Sequence, residues 1–419
     1  MKKTAATILT ALAIIASAVR ADEIRPDFAI RTCAPKPFFE KVSRLLRKIY
    51  PDPKLEMQAA FALMPLGYPE FNGVSRSANT IVCGFDTDTK NPVWVVGAKI
   101  DGDSRTAAFL KSAKLPAYKR DAFTYLPVNF GEKDPSSYID RAHALLPKKS
   151  GAAFEADICA EAFDRLTQGK CADWVRDVEN VFLRIDEDGD FLLIRATLLL
   201  KKNSPAYGRV NKVRRLKNAP EAQFLPQDAE LSVISKMKNG FDGREIPAIG
   251  NALPADVAAK YGELLKHSSQ AYAAAIKFGN APKLLSVRKT DVSDFEIASA
   301  DGFSAGVKNG FCALSNDDEM LARCLSEIAS ADPDANFPLR RYAEDDSDLI
   351  IVLNNAAMLK TVLSKIGREL RDDAKINYSV ISADIALGKI DITVRADLDS
   401  LNHYCDFYRM LEKCRLNNR

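Results

Sequence analysis

The sequence predicts an α+β fold of two tandem related halves, each a mostly antiparallel sheet with helices packed against it. Three observations lead there. A two-strand pattern occurs at residues 181–198 and again 200 positions later at 381–398. In the first copy Leu192, Ile194, Ala196 and Leu198 alternate onto one strand face, and in the second Ile392, Val394, Ala396 and Leu398 do so, while Arg195 and Arg395 point the other way. The preceding strand keeps the register, with Val181, Leu183 and Ile185 answered by Ile381, Ala383 and Ile385. The elements before each hairpin also recur in one order, with an offset that grows along the chain, so that insertions fall in loops.

Taken in order, residues 1–21 read as a signal peptide, 22–78 as a lead with an amphipathic helix, 79–218 as the first half and 219–419 as the second. The helix over 37–50 places Phe38, Val42, Leu45, Leu46 and Ile49 in one stripe, and Pro51 and Pro53 stop it. Two strands follow over 79–100, joined by a polar turn, then a helix over 104–112 and strands around 122–128. Asp134 and Pro135 mark the start of a helix that points Tyr138, Ile139, Ala142 and Leu145 inward. A strand over 152–156, a cap at Asp157 and a helix to Leu166 lead into the first hairpin, and a helix over 205–216 closes the half. The second half repeats this order: a strand over 271–278, a helix over 282–287, strands up to Leu314, a helix capped by Ser315 and Asn316, a strand over 349–353, a helix capped at Asn354 or Asn355, the second hairpin and a last helix over 400–412. An extra helix is expected over 255–266.

The first residues have the parts of a secretory signal: Lys2 and Lys3, an apolar run over 5–19, and small residues at Ala18 and Ala21. Met1-Lys2-Lys3-Thr4-Ala5 resembles the opening of Gram-negative export signals, which implies a periplasmic or secreted location. The balance of 59 basic and 56 acidic residues sets no global field towards nucleic acid or anionic lipid. Beyond the leader, no apolar run approaches the ~20 residues of a membrane helix.

Eight cysteines in an exported chain suggest disulfides. A helix between Cys159 and Cys171 would hold them roughly 15 Å apart, too far for a bridge, and one unbroken last helix separates Cys405 from Cys414 in the same way. Cys312 in a strand and Cys324 in the helix after it fall at similar heights if the helix folds back, which makes them the candidate disulfide. Cys33 with Cys83 is the next choice, and the other four pair between distant elements.

The sequence offers no catalytic, cofactor or metal residue. The turn over 186–190 is acidic, but an EF-hand loop needs Gly and Glu where Phe191 and Thr197 stand. His143, His267 and His403 lack metal or triad spacing, although Asp140 and His143 are three apart on one helix and within reach of each other. The basic run Arg209, Lys212, Arg214, Arg215 and Lys217 suits an anionic envelope polymer. The outer faces of the two repeated strands differ: Lys389, Asp391, Thr393, Arg395 and Asp397 make a solvent face, whereas the first copy has Phe191, Leu193 and Leu199. Those three form the candidate partner surface. The expectation is an exported non-enzymatic binding, scaffold or envelope-assembly protein, with an envelope protein or anionic polymer as partner. The alternative is a periplasmic hydrolase acting on an envelope polymer.

Overall fold

The computed structural model describes residues 24–44, 73–86, 92–146, 152–166, 176–238, 272–330, 346–364 and 376–417, apart from breaks of one or two residues. The leader, the helix expected over 255–266 and Cys171 lie outside the described residues. The rest is mostly antiparallel sheet with some helices, and it falls into two compact units divided between Cys171 and Ala172, with Arg44 in the second.

The first unit contains strands β1 (Phe28–Thr32), β2 (Thr80–Phe85) and β3 (Val93–Ala98), helix α1 (Arg105–Ser112), strands β4 (Tyr118–Arg120) and β5 (Phe123–Val128), helix α2 (Ser136–Ala144), strand β6 (Phe154–Cys159) and helix α3 (Ala160–Leu166). The strands pair antiparallel in the order β6, β1, β2, β3, β5, β4. Period-two alternation puts Ile81, Cys83 and Phe85 beside Val93, Val95 and Tyr125 on one face, and α2 covers it with Ile139 and Ala142. At the start of α2, Asp134 accepts hydrogen bonds from the Ser136 backbone and hydroxyl at 3.1 and 2.7 Å, which hold its carboxyl below the usual range.

The second unit contains β7 (Val178–Asp188), β8 (Phe191–Leu200), helix α4 (Pro205–Val210), β9 (Arg214–Arg215), a 3-10 turn (Pro220–Phe224), β10 (Leu231–Ser235), β11 (Met237–Lys238), β12 (Tyr272–Lys277), β13 (Lys283–Lys289), β14 (Phe295–Ala300), β15 (Phe303–Lys308), β16 (Phe311–Ser315), helix α5 (Asp318–Ser330), β17 (Leu349–Leu353), helix α6 (Asn355–Ser364), β18 (Ser379–Ala386), β19 (Lys389–Asp397) and helix α7 (Leu398–Asn417). Apart from the small β9–β11 ribbon, its strands pair antiparallel in the order β7, β8, β19, β18, β17, β10, β12, β13, β16, β15, β14. Leu285, Val287, Ala313, Ile234, Ile350 and Val352 share one face, sealed by α5 and the 3-10 turn through Met320, Leu321, Cys324, Ile328 and Phe224. Each Val, Leu, Ile, Met or Phe among them is worth about 1.5–3 kcal/mol when taken out of water.

Several elements differ from the sequence reading. Residues 283–289 form strand β13 where a helix was expected, because the short apolar run Leu284-Leu285-Ser286-Val287 has no helical period and pairs on both sides. Strand β6 runs on to Cys159, so Asp157 lies within the strand and is no cap. Helix α4 stops at Val210, and Arg214–Arg215 pairs with Met237–Lys238. The cap of α5 is Asp317, whose carboxylate accepts from the Met320 backbone at 2.8 Å. At α6 Asn354 is the cap, accepting from Ala357 at 3.1 Å.

The cysteine pairings also differ. Cys312 and Cys324 are both unbridged. Parity separates them: Ala313 shares the core face with Cys324, so Cys312 projects from the other side of β16. Cys83 stands opposite Ala29 while Cys33 follows Thr32, four rungs or roughly 13 Å along, and the two do not bridge. Cys159 and Cys405 are unbridged as well. Burial pushes the Cys83 and Cys324 thiols up to about 12 and Cys312 up to about 11, so all three stay protonated and inert.

Candidate binding face

The two hairpins lie side by side. β7 pairs with β8, β18 with β19, and β8 joins β19 antiparallel over nine rungs from Lys389 opposite Leu199 to Asp397 opposite Phe191. Each hairpin tip is tied to the end of the other hairpin: the Leu398 backbone N–H donates to the Asp190 carbonyl, and the Leu200 N–H to the Gly388 carbonyl, both at 2.9 Å. The tips need glycine, with φ of +60° at Gly189 and +71° at Gly388. At Gly388 a Cβ would also stand 2.7 Å from the Tyr207 ring, and the Gly388 N–H donates to Asn211 at 3.0 Å.

Register sorts this four-stranded ribbon into two unlike faces. On one, Leu183 and Ile185 of β7, Ile194 and Ala196 of β8, Ile390, Ile392 and Val394 of β19, and Ile381 and Ile385 of β18 form a continuous apolar surface. Only Val181 and Leu198, at its end, are buried. The others are half-buried and stand outside both hydrophobic cores. At the opposite end Arg44 reaches Glu187, with Nε and Nη2 at 2.9 and 2.8 Å from Oε2.

The other face is ionic. Asp391 accepts from Thr197 at 2.5 Å and Lys389 at 2.6 Å; burial pushes its carboxyl up, but these bonds outweigh that and hold it below the usual range. Arg395 lies 3.8 Å over the Phe191 ring and 3.8 Å from Asp188. Leu193 stands opposite Arg395, and Leu199 opposite Lys389. Phe191, Leu193 and Leu199 are therefore interleaved with charges from β19 and make no continuous apolar patch. The apolar expanse is on the reverse side. Within the basic run, Arg215 is engaged internally: it makes a bidentate pair with Asp348 at 2.7 and 3.1 Å and reaches Asp384 at 3.0 Å. Asp348, 1% exposed, also accepts from the Ile385 backbone at 2.6 Å.

Two places have the residue types of catalysis. In the first unit the Tyr125 hydroxyl lies 2.7 Å from His143 Nδ1, and His143 Nε2 lies 3.0 Å from Asp121. Tyr125 is fully buried, fitting beside Gly97, where any Cβ would strike its ring, and burial drives its phenol well above the ordinary range. Asp140, three residues before His143 on α2, pairs with Arg120 at 3.2 Å. In the second unit a cavity of about 100 Å3 lies beside α5. Its three cations are paired locally: Lys277 with Asp228 at 2.6 Å, Lys283 with Asp317 at 2.7 Å, Arg323 with Glu327 at 3.0 Å. A substrate pocket is typically some 300–1,000 Å3. Among the described residues no group of three or more His, Cys, Asp or Glu could hold a metal ion, and no helix is long and apolar enough to cross a membrane.

No family model matches the chain, and no curated protein does. Among solved structures it is similar to two crystal forms of TP0453. Form III is 10% identical over 46% of this chain and 86% of that one, with a TM-score of 0.27, and form IV is 9% identical over 48% and 99%, with a TM-score of 0.25. Similarity of that size says nothing about fold or role.

Proposed function

We propose that this chain is an exported, non-catalytic binding or envelope-assembly protein, and that it binds through the apolar face of the hairpin ribbon. The observation behind this is the contrast within one ribbon: the face backed by ion pairs is satisfied, whereas Leu183, Ile194, Ile392 and Val394 form a half-buried apolar surface that belongs to neither core. Export draws on Lys2, Lys3, the apolar run after them and Ala18 and Ala21.

The same reading takes the chain as a tandem duplication. In support, β1 lies between β2 and β6 as β10 lies between β12 and β17; β3 pairs with β5 as β13 pairs with β16; β4 flanks β5 as β15 flanks β16. A helix follows β5, β6, β16 and β17 alike. Copying one unit would supply two hairpins able to pair edge to edge, and their union makes a binding face that neither has alone.

A photo-crosslinking residue placed at Ile194 or Ile392 in the exporting cell should give a discrete adduct, and one at Arg195 should not. Equal labelling at all three positions, or none at Ile194 and Ile392, defeats the reading. A second reading, hydrolysis of an envelope polymer, draws on Tyr125, His143 and Asp121. It requires the purified chain to release soluble fragments from isolated polymer and His143→Ala to stop that release, whereas the binding reading expects no release from either.

A further inference from the structure

We infer that Arg288 of β13 is the anchor of a small-oxyanion site, one that would take a carboxylate or a phosphate group. The side chain is 6% exposed, and its Nε is fully buried with no hydrogen-bond partner. Among the described residues it forms no ion pair, and its one directed contact is with the Tyr272 ring, 4.9 Å from the guanidinium carbon. Such a cation–π contact uses the flat face of the guanidinium and leaves the N–H edge, the part that matches a planar oxyanion two bonds at a time, without an acceptor.

The surroundings make that arrangement costly without a ligand. Leu285 and Val287 face the sealed core, so Arg288 projects from the opposite side of the strand, next to Cys312, its partner on β16. Cys312 and Tyr272 are both buried, and a protonated thiol offers only a weak acceptor. The Glu221 carboxyl feels the field of Arg288 but makes no ion pair with it. One Glu221 oxygen accepts from the Lys289 backbone at 3.2 Å, the other is unpartnered, and burial pushes its carboxyl towards the neutral form. A guanidinium whose Nε is sealed and which pairs with no carboxylate among the described residues is open to a counter-charge from outside. Of the guanidinium nitrogens only Nε is a sealed, unpartnered atom, so a small anion would approach the two Nη nitrogens. This inference is independent of the hairpin face.

The test compares the full chain with Arg288→Met and Arg288→Lys by thermal melting and calorimetric titration, using inorganic phosphate and acetate against chloride at constant ionic strength. The parent chain should melt higher in phosphate or acetate than in chloride, and the anion that acts identifies the source. Arg288→Met should lose that shift while melting no lower than the parent in chloride, because it removes an uncompensated buried charge and keeps the volume. Arg288→Lys should bind roughly tenfold to a hundredfold more weakly, having lost the two-bond geometry. A parent chain indifferent to both anions overturns the inference. So does an Arg288→Met chain that melts well below the parent in chloride, since Arg288 would then be an internal structural cation.

Discussion

Two regions of the second unit, built from the same kind of strand, differ in what lies on them. Around β12, β13 and β16 the face holding Leu285, Val287 and Ala313 is sealed by α5 and the 3-10 turn, and its members are at or near zero exposure. In the ribbon of β7, β8, β19 and β18 the aliphatic content is as high, yet the members are half-buried and no core includes them. Strand pattern alone therefore does not decide burial. The sealed face is covered by α5 and the 3-10 turn, whereas β7 joins β8 and β18 joins β19 through two-residue turns at Gly189-Asp190 and Leu387-Gly388, so neither of these connections carries a helix.

Substitutions can break or sharpen this contrast. A large loss is expected where the sealed region adjoins the ribbon. Asp348→Ala removes the acceptor of Arg215 and of the Ile385 backbone, and should cost about 3 kcal/mol in denaturant melts, limited because Arg215 is 40% exposed and can regain water. Leu285→Ala in the sealed core should cost about 2–4 kcal/mol, whereas Ile194→Ala on the ribbon should cost about 1 kcal/mol or less. Equal losses at the two sites would erase the distinction. The smallest effect is a matter of pH. Glu221 has its folded pKa raised above its unfolded value, so the native state binds the extra proton, and stability is full below the unfolded pKa and declines as pH rises through the window above it. Glu221→Gln should flatten that decline when melting temperature is followed against pH. An unchanged slope would show that Glu221 is not its source.

Much of the local structure was legible. Alternation placed the hairpin strands and their registers, and Asn354 marked the start of α6. The run at 284–287 was not, because an apolar run of that length serves a strand buried on both faces as well as a helix. Cys312 and Cys324 were matched by height alone, and the parity of β16 decided otherwise. The β8–β19 junction leaves no local trace, since it joins residues about 200 apart whose only shared signal is that each strand is apolar on one face. That is why Phe191, Leu193 and Leu199 looked like a patch: the partner strand that brings Arg395 and Lys389 among them was unknown. His143 meeting Asp121 and Tyr125 is likewise set by sheet register rather than by spacing. Arg288 left no distinct signal, since Lys283 and Lys289 of the same strand are cations too.

The most direct test of the account is the paired polar substitution Ile194→Asp with Ile392→Asp, compared with Leu285→Asp by circular dichroism and thermal melting. An apolar face kept for a partner predicts that the double variant stays folded and soluble, melts within a few degrees of the parent, and loses the adduct that a photo-crosslinking residue at Val394 forms in the parent, while Leu285→Asp fails to fold. If the double variant collapses as Leu285→Asp does, the face is part of the protein's own core and the proposed binding role is contradicted.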